Sequence, residues 1–134
     1  MNLLVRRYED TDYEEVNSII KKCFDVTKSK IKNDNNLEFV CEYNNVIVGY
    51  FILSKMFDIV KNLKFYFVEY VCVDNDYQGL GIGTKMMEEA ISFCKSDGAS
   101  YIELTSGYKR KAAHRVYEKV GFVKRESNIF RKEL

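Results

Sequence analysis

Apolar residues change period several times along the chain, and each change predicts an element. Leu3-Leu4-Val5-Arg6-Arg7-Tyr8 reads as a first strand. Tyr13, Val16, Ile19, Ile20, Cys23 and Phe24 then recur at helical spacing, which predicts an amphipathic helix over residues 12–24. Asp10 or Thr11 is its expected N-cap, with Glu14 completing a capping box after Thr11. Residues 25–36 are polar and lysine-rich, with Val26 and Ile31 as apolar anchors, and read as a loop or a short helix. Leu37, Phe39 and Cys41 alternate in a strand over 37–42. Tyr43-Asn44-Asn45 supplies a turn, and Val46 to Leu53 returns as a second strand, so the pair is an antiparallel hairpin. Residues 56–64 read as a connector. Phe65 to Val73 is a dense apolar strand that carries one carboxylate, Glu69.

After a polar turn, Asp74-Asn75-Asp76-Tyr77, the period becomes helical again. Ile82, Met86, Met87, Ala90, Ile91 and Cys94 share one face of a helix that ends near Asp97, with Gly98 as its C′ residue. Tyr101 to Leu104 is a strand. Lys111 to Val120 is a helix with Ala113, Val116, Tyr117 and Val120 on its apolar side, ended by Gly121. Phe122 to Arg125 and Asn128 to Arg131 read as closing strands. Strands and helices in this order predict an α/β or α+β domain with a mixed sheet, and no linker or repeat divides residues 1–134.

Composition narrows the function little. Hydrophobic residues make up 46% and charged residues 31%, the balance of a globular domain. A net charge of +1 gives no reason to expect nucleic acid or a membrane as partner. No apolar run approaches a membrane span and the N-terminus lacks a secretory pattern, so a cytosolic protein is expected. The four cysteines form no CxxC pair and there is one histidine, so no metal site is expected.

The chemistry concentrates in Gln78-Gly79-Leu80-Gly81-Ile82-Gly83-Thr84, where three of the seven glycines fall within five residues. Amides at a helix start have no intrahelical partner and carry partial positive charge, and glycines let a phosphate approach them. Two nucleotide motifs fail here. GxxxxGK[ST] fails because Thr84 stands where its second glycine should be, and GxGxxG fails because positions 84 and 86 are Thr and Met. What remains, Gln78-x-x-Gly81-x-Gly83, resembles the acetyl-CoA signature of the GNAT superfamily of N-acetyltransferases. A second stretch, Ala113-His114-Arg115-Val116-Tyr117-Glu118-Lys119-Val120-Gly121-Phe122, is similar to that family's closing motif.

The resemblance implies a GNAT-like single domain: a mixed, mostly antiparallel sheet of six to seven strands, splayed at its centre and flanked by three to four helices. Acetyl-CoA would be the co-substrate. Its pantetheine arm would lie along the backbone of Val71, Cys72 and Val73, and its pyrophosphate on the amides of Gln78, Gly79, Leu80, Gly81, Ile82, Gly83 and Thr84. It further implies Glu69 as general base and Tyr117 as the acid that protonates the leaving thiolate. The plainer readings are that Glu69 turns away from the cleft to pair with a lysine or arginine, and that Tyr117 packs and only hydrogen-bonds the cofactor sulfur. His114, one turn before Tyr117, is a proton relay or cofactor contact, or else a partly exposed helix residue. Many family members carry asparagine seven residues before the tyrosine. Arg110 stands there in this chain, and it is suited to a cofactor phosphate.

The expected activity is acetyl transfer to a primary amine by direct attack in a ternary complex. The acceptor is a small molecule or peptide amine, and a homodimer formed through the closing strands is compatible with the pattern. A non-catalytic acyl-CoA-binding or sensing module on the same fold is the alternative. Nothing in the motifs names the acceptor amine.

Overall fold

The computed structural model describes residues 2–134. The observed order is β1 (Leu3–Arg7), α1 (Tyr13–Phe24), β2 (Asn36–Tyr43), β3 (Val46–Asp58), β4 (Leu63–Val73), α2 (Ile82–Ser96), β5 (Ile102–Leu104) and α3 (Lys111–Lys119), with short 3₁₀ turns at 10–12 and 75–77. The strands form one sheet in the order β1-β2-β3-β4-β5. All neighbours are antiparallel except β4 and β5, which the α2 crossover makes parallel.

Period-2 alternation sorts the side chains onto two faces. Phe39, Phe51, Leu53, Tyr66 and Val68 pack with Met86, Met87, Ala90 and Cys94 of α2 on one side. Val40, Ile47, Tyr50 and Cys72 pack with Val16, Ile19 and Ile20 of α1 on the other. Each such buried side chain contributes about 1.5–3 kcal/mol, so the two apolar helix faces hold the three layers together. Gly49 lets β3 approach α2 closely: a Cβ there would lie 2.6 Å from Met86 Sδ.

Four expectations change. The closing strands are absent from the described residues: 120–134 carry no strand, and Val123, Ile129 and Phe130 are exposed. A strand needs a ladder and a face to bury, and the three-residue β5 offers a short edge to a segment crowded with Lys, Arg and Glu. The sheet therefore has five strands, not six to seven, and three helices flank it. Residues 56–64 are no connector, because β3 and β4 extend into them and turn at 59–62. Asp58 Oδ1 accepts the amides of Val60 and Lys61, and Asn62 takes φ 55°, which closes that turn. The cap of α1 also differs. Asp12 is the N-cap of α1 without a side-chain cap bond, and the reciprocal box of Glu9 and Asp12 closes the 3₁₀ turn at 10–12 just before it. Asp12 is drawn there by a bidentate bond from Arg6, at 2.9 Å to each oxygen.

Candidate active site

The site begins with a bulge. Tyr50 of β3 faces Cys72, but Ile52 faces Glu69, so Phe51 alone stands against Tyr70 and Val71. Tyr70 takes φ 52°, rare for a side chain of its size, and its ring packs edge-on against Phe24 of α1 at 5.1 Å. A bulge bends and twists its strand, and here the pairing of β4 with β5 stops at Val68 opposite Leu104. Beyond that point the two strands part and leave an open edge on β4.

Strand alternation turns Cys72 O toward β3, where it lies 3.4 Å from the position of a Gly49 Cβ. The carbonyls of Val71 and Val73 point the opposite way, into the opening. Side chains meet them there. Arg110 Nη2 donates to Val71 O at 3.4 Å, and Gln78 Nε2 donates to Val73 O at 3.1 Å. Of the three backbone positions expected along a pantetheine arm, Val71 and Val73 face the opening and Cys72 does not.

The glycine turn lies at the end of this edge. Gly79 and Gly81 take φ 77° and 79°, and a Cβ on either would meet nothing within 4 Å. The approach is open, and the glycines are required by the backbone rather than by crowding. Gly81 caps α2, and the first helical bond, Lys85 N to Gly81 O at 3.0 Å, leaves the amides of Ile82, Gly83 and Thr84 without helical partners. Ile82 buries its side chain in the core and offers only backbone. A Cβ at Gly83 would meet Val116 of α3 at 3.8 Å, an ordinary contact, so helix packing alone does not require glycine there. Gln78 and Leu80 are exposed. Together these residues form a donor-lined, uncrowded cradle continuous with the β4 edge, and it fits the pyrophosphate and amide-bearing arm of coenzyme A.

Glu69 is half-buried on the α1 face of β4. It forms no ion pair among the described residues. Instead Ser54 Oγ donates to its Oε1, and Ser54 in turn accepts Asn36 Nδ2 at 2.7 Å. The network crosses β2, β3 and β4 and fixes one carboxylate oxygen. Neither Ser54 nor Asn36 was singled out from the sequence. Their signal is a register that only the assembled sheet provides.

Tyr117 is buried on α3, its ring edge-on to Phe122 at 5.9 Å. Burial raises its pKa, so the phenol holds its proton at neutral pH, although the Arg110 cation opposes this. His114, one turn earlier, is half-buried. Arg110 is exposed at the start of α3, with its guanidinium 5.4 Å from the centre of the Phe24 ring. It thus joins α1, β4 and α3 across the opening.

Cys23 of α1 is a further group at this edge. Its Sγ donates to Val73 O at 3.7 Å, and it packs against the cluster that includes Cys72. A hydrogen bond from the Cys72 thiol, helped by the Arg110 and Lys22 cations, holds its pKa down at about 7 against the effect of burial. The same pairing, with burial, pushes Cys72 far up. No group of His, Cys, Asp and Glu suited to a metal occurs among the described residues, and no described helix is long and apolar enough to cross a membrane.

The model of the acetyltransferase (GNAT) family matches residues 2–122, which stops where the unpaired tail begins. An uncharacterized N-acetyltransferase of Methanocaldococcus jannaschii is 31% identical over 97 residues, 72% of this chain and 43% of that protein. The chain spans less than half the length of the curated relatives it matches. Among solved structures, a transcriptional regulator from Bacillus halodurans superposes with TM-score 0.85 at 20% identity, over 99% of this chain and all of that one. A ribosomal-protein-alanine N-acetyltransferase from Brucella melitensis does so with TM-score 0.85 at 13% identity, with the same coverage. Likeness at these identities concerns the fold.

Proposed function

Because the chain belongs to the GNAT family of acetyltransferases, we propose that it transfers the acetyl group of acetyl-CoA to a primary amine by direct attack in a ternary complex. One observation carries the reading: the β4 bulge opens a strand edge that runs from a half-buried carboxylate to the free amides of α2.

Each part has a role in that reaction. The amides of Ile82, Gly83 and Thr84 neutralise the pyrophosphate, with charge-assisted bonds worth about 1.5–3 kcal/mol each. Val71 and Val73 present carbonyls to the amides of the pantetheine arm, which requires Arg110 and Gln78 to withdraw from them. Released from Val71, the Arg110 guanidinium is free to meet a phosphate. Glu69, oriented by Ser54, takes a proton from the incoming ammonium, directly or through a water. The amine nitrogen then bonds to the acetyl carbon, the carbon–sulfur bond breaks as the Tyr117 phenol gives its proton to the departing sulfur, and the second proton shed by the nitrogen restores the phenol, leaving a neutral amide and the free thiol.

Thiol release from acetyl-CoA with a panel of primary amines tests the proposal. Glu69→Gln and Tyr117→Phe are each expected to lower kcat by roughly 10²–10⁴-fold, the usual contribution of a positioned acid or base, while coenzyme A still binds by calorimetry. A protein that binds coenzyme A but turns over no amine is a binding module, and that result refutes the proposal. Full turnover by Glu69→Gln refutes the base assignment.

A further inference from the structure

The α1 face of the sheet is only partly covered. Helix α1 packs over Val40, Ile47, Tyr50 and Cys72. The same face continues past it along the other half of β4 and onto β5. Phe67 pairs in register with Glu103, so the two point the same way, as Phe65 and Tyr101 show by stacking at 4.7 Å and 15°. Ser54 pairs in register with Phe67 and bonds Glu69, which puts Glu69 on this face too. Ile102 and Leu104 of β5 pack instead against the core cluster that contains α2.

The floor is therefore aromatic, the half-buried Phe67 beside the Phe65–Tyr101 stack, with a carboxylate on either side of Phe67. Glu103 is half-buried and forms no ion pair among the described residues. Desolvation pushes the Tyr101 pKa up, the Glu103 and Asp58 carboxylates add to it, and the Arg125 cation opposes them. The lysines of the bordering 25–36 segment are held elsewhere: Lys28 on Glu38, Lys30 over the Tyr13 ring, Lys32 on Asp10. Lys55 and Lys64 pair with Asp97, on the opposite face.

Resting on the acetyl-transfer reading above, we propose that the acceptor is a short aliphatic diamine or polyamine, and that Glu103 is the residue that selects it. One nitrogen reacts at Glu69. The second, still an ammonium, sits at Glu103, and the methylenes between them cross Phe67. The spacing suits this. Two residues along the strand and one strand across place the two Cα atoms about 8 Å apart. Three to five methylenes separate two nitrogens by about 5–8 Å. An ammonium between carboxylates over an aromatic ring is favoured by charge and by cation–π attraction, whereas an anionic amine meets repulsion.

The experiment compares kcat/KM for 1,4-diaminobutane, n-butylamine and glutamate with the intact protein and acetyl-CoA. The expected ratio of diamine to monoamine is at least about tenfold, equivalent to one partly desolvated ion pair, and it shrinks with added salt. Glutamate should be the poorest acceptor. Glu103→Gln should bring the diamine-to-monoamine ratio to about one, mainly through KM. A wild-type ratio near or below one overturns the proposal, as does a ratio that survives Glu103→Gln. Both outcomes require turnover, so they are distinct from failure of the acetyl-transfer reading, in which no amine reacts although acetyl-CoA binds. Should Glu103→Gln fail to fold, the wild-type ratio and its salt dependence still decide.

Discussion

Replacing Gly49 by Ala tests how tightly the sheet is fitted onto α2. The new methyl would lie 2.6 Å from Met86 Sδ, with Cys41 Cβ and Cys72 O each at 3.4 Å. Favourable contact between such atoms lies near 3.5–4.0 Å, so the sulfur must retreat by roughly 1 Å. A methionine bends easily, but Met86 is fully buried and its surroundings are close-packed. Overpacking of this kind costs about 1–3 kcal/mol, which for a chain of this length lowers Tm by roughly 3–12 °C. The backbone contributes no strain, because Gly49 lies outside the positive-φ positions. Met86→Ala alone should cost about 2–5 kcal/mol. In that background Gly49→Ala should become neutral or slightly stabilising, since alanine costs less entropy than glycine in a strand. Urea denaturation of the four proteins measures the coupling, expected at about 1–3 kcal/mol. If Gly49→Ala costs the same with and without Met86, the sulfur contact is not the cause and the reasoning fails.

Two further expectations concern protons. Cys23, with a pKa of about 7, should be alkylated by iodoacetamide at a rate that climbs through pH 6–8. Cys41 and Cys94, pushed up by burial to about 11 and about 12, should lag far behind in the folded protein. Cys72→Ala should move the Cys23 profile to higher pH, and equal labelling of all four thiols would contradict the pairing. For Asp12, the bidentate bond from Arg6 holds the carboxyl below the usual carboxylate range. The stability it confers is therefore present above pH ~4, the unfolded pKa, and is lost as pH falls through the lower folded value. Asp12→Asn should cost about 2–4 kcal/mol at pH 7, because it leaves a partly buried guanidinium underpaired. The gap to wild type should narrow steadily as denaturation is repeated at successively lower pH below ~4. A gap that does not narrow with falling pH would show that the charge is not what stabilises.

The elements legible in the sequence are those whose apolar period is long and uninterrupted. Helices α1 and α2 lie within a residue of their expected bounds, and the glycine turn was readable because positive φ and helix capping are local demands that Gly79, Gly81 and Gly98 state outright. The family could be named for the same reason, since Gln78 to Gly83 and Tyr117 to Phe122 are contiguous. The extension of β3 and β4 through 56–64 was hidden by polar residues at 58, 61, 62 and 64. Only a paired strand opposite them makes that pattern regular.

At the site the division is sharper. Sequence alone determined that Glu69 is a carboxylate in an apolar strand and that a helix start rich in glycine follows it. Only the tertiary structure decided which face of the sheet Glu69 takes and that Ser54 holds it. The same is true of the bulge at Tyr70 and Val71, which parts β4 from β5, and of the turn of Glu103 to that same face. A strand's pattern says that alternate residues diverge, but the sheet register says which of them meet, and one bulge reverses the answer for every residue beyond it. The tail shows the converse. Residues 122–131 hold two apolar pairs, Phe122-Val123 and Ile129-Phe130, about a polar run, but with no edge long enough to receive them they bury little and form no strand.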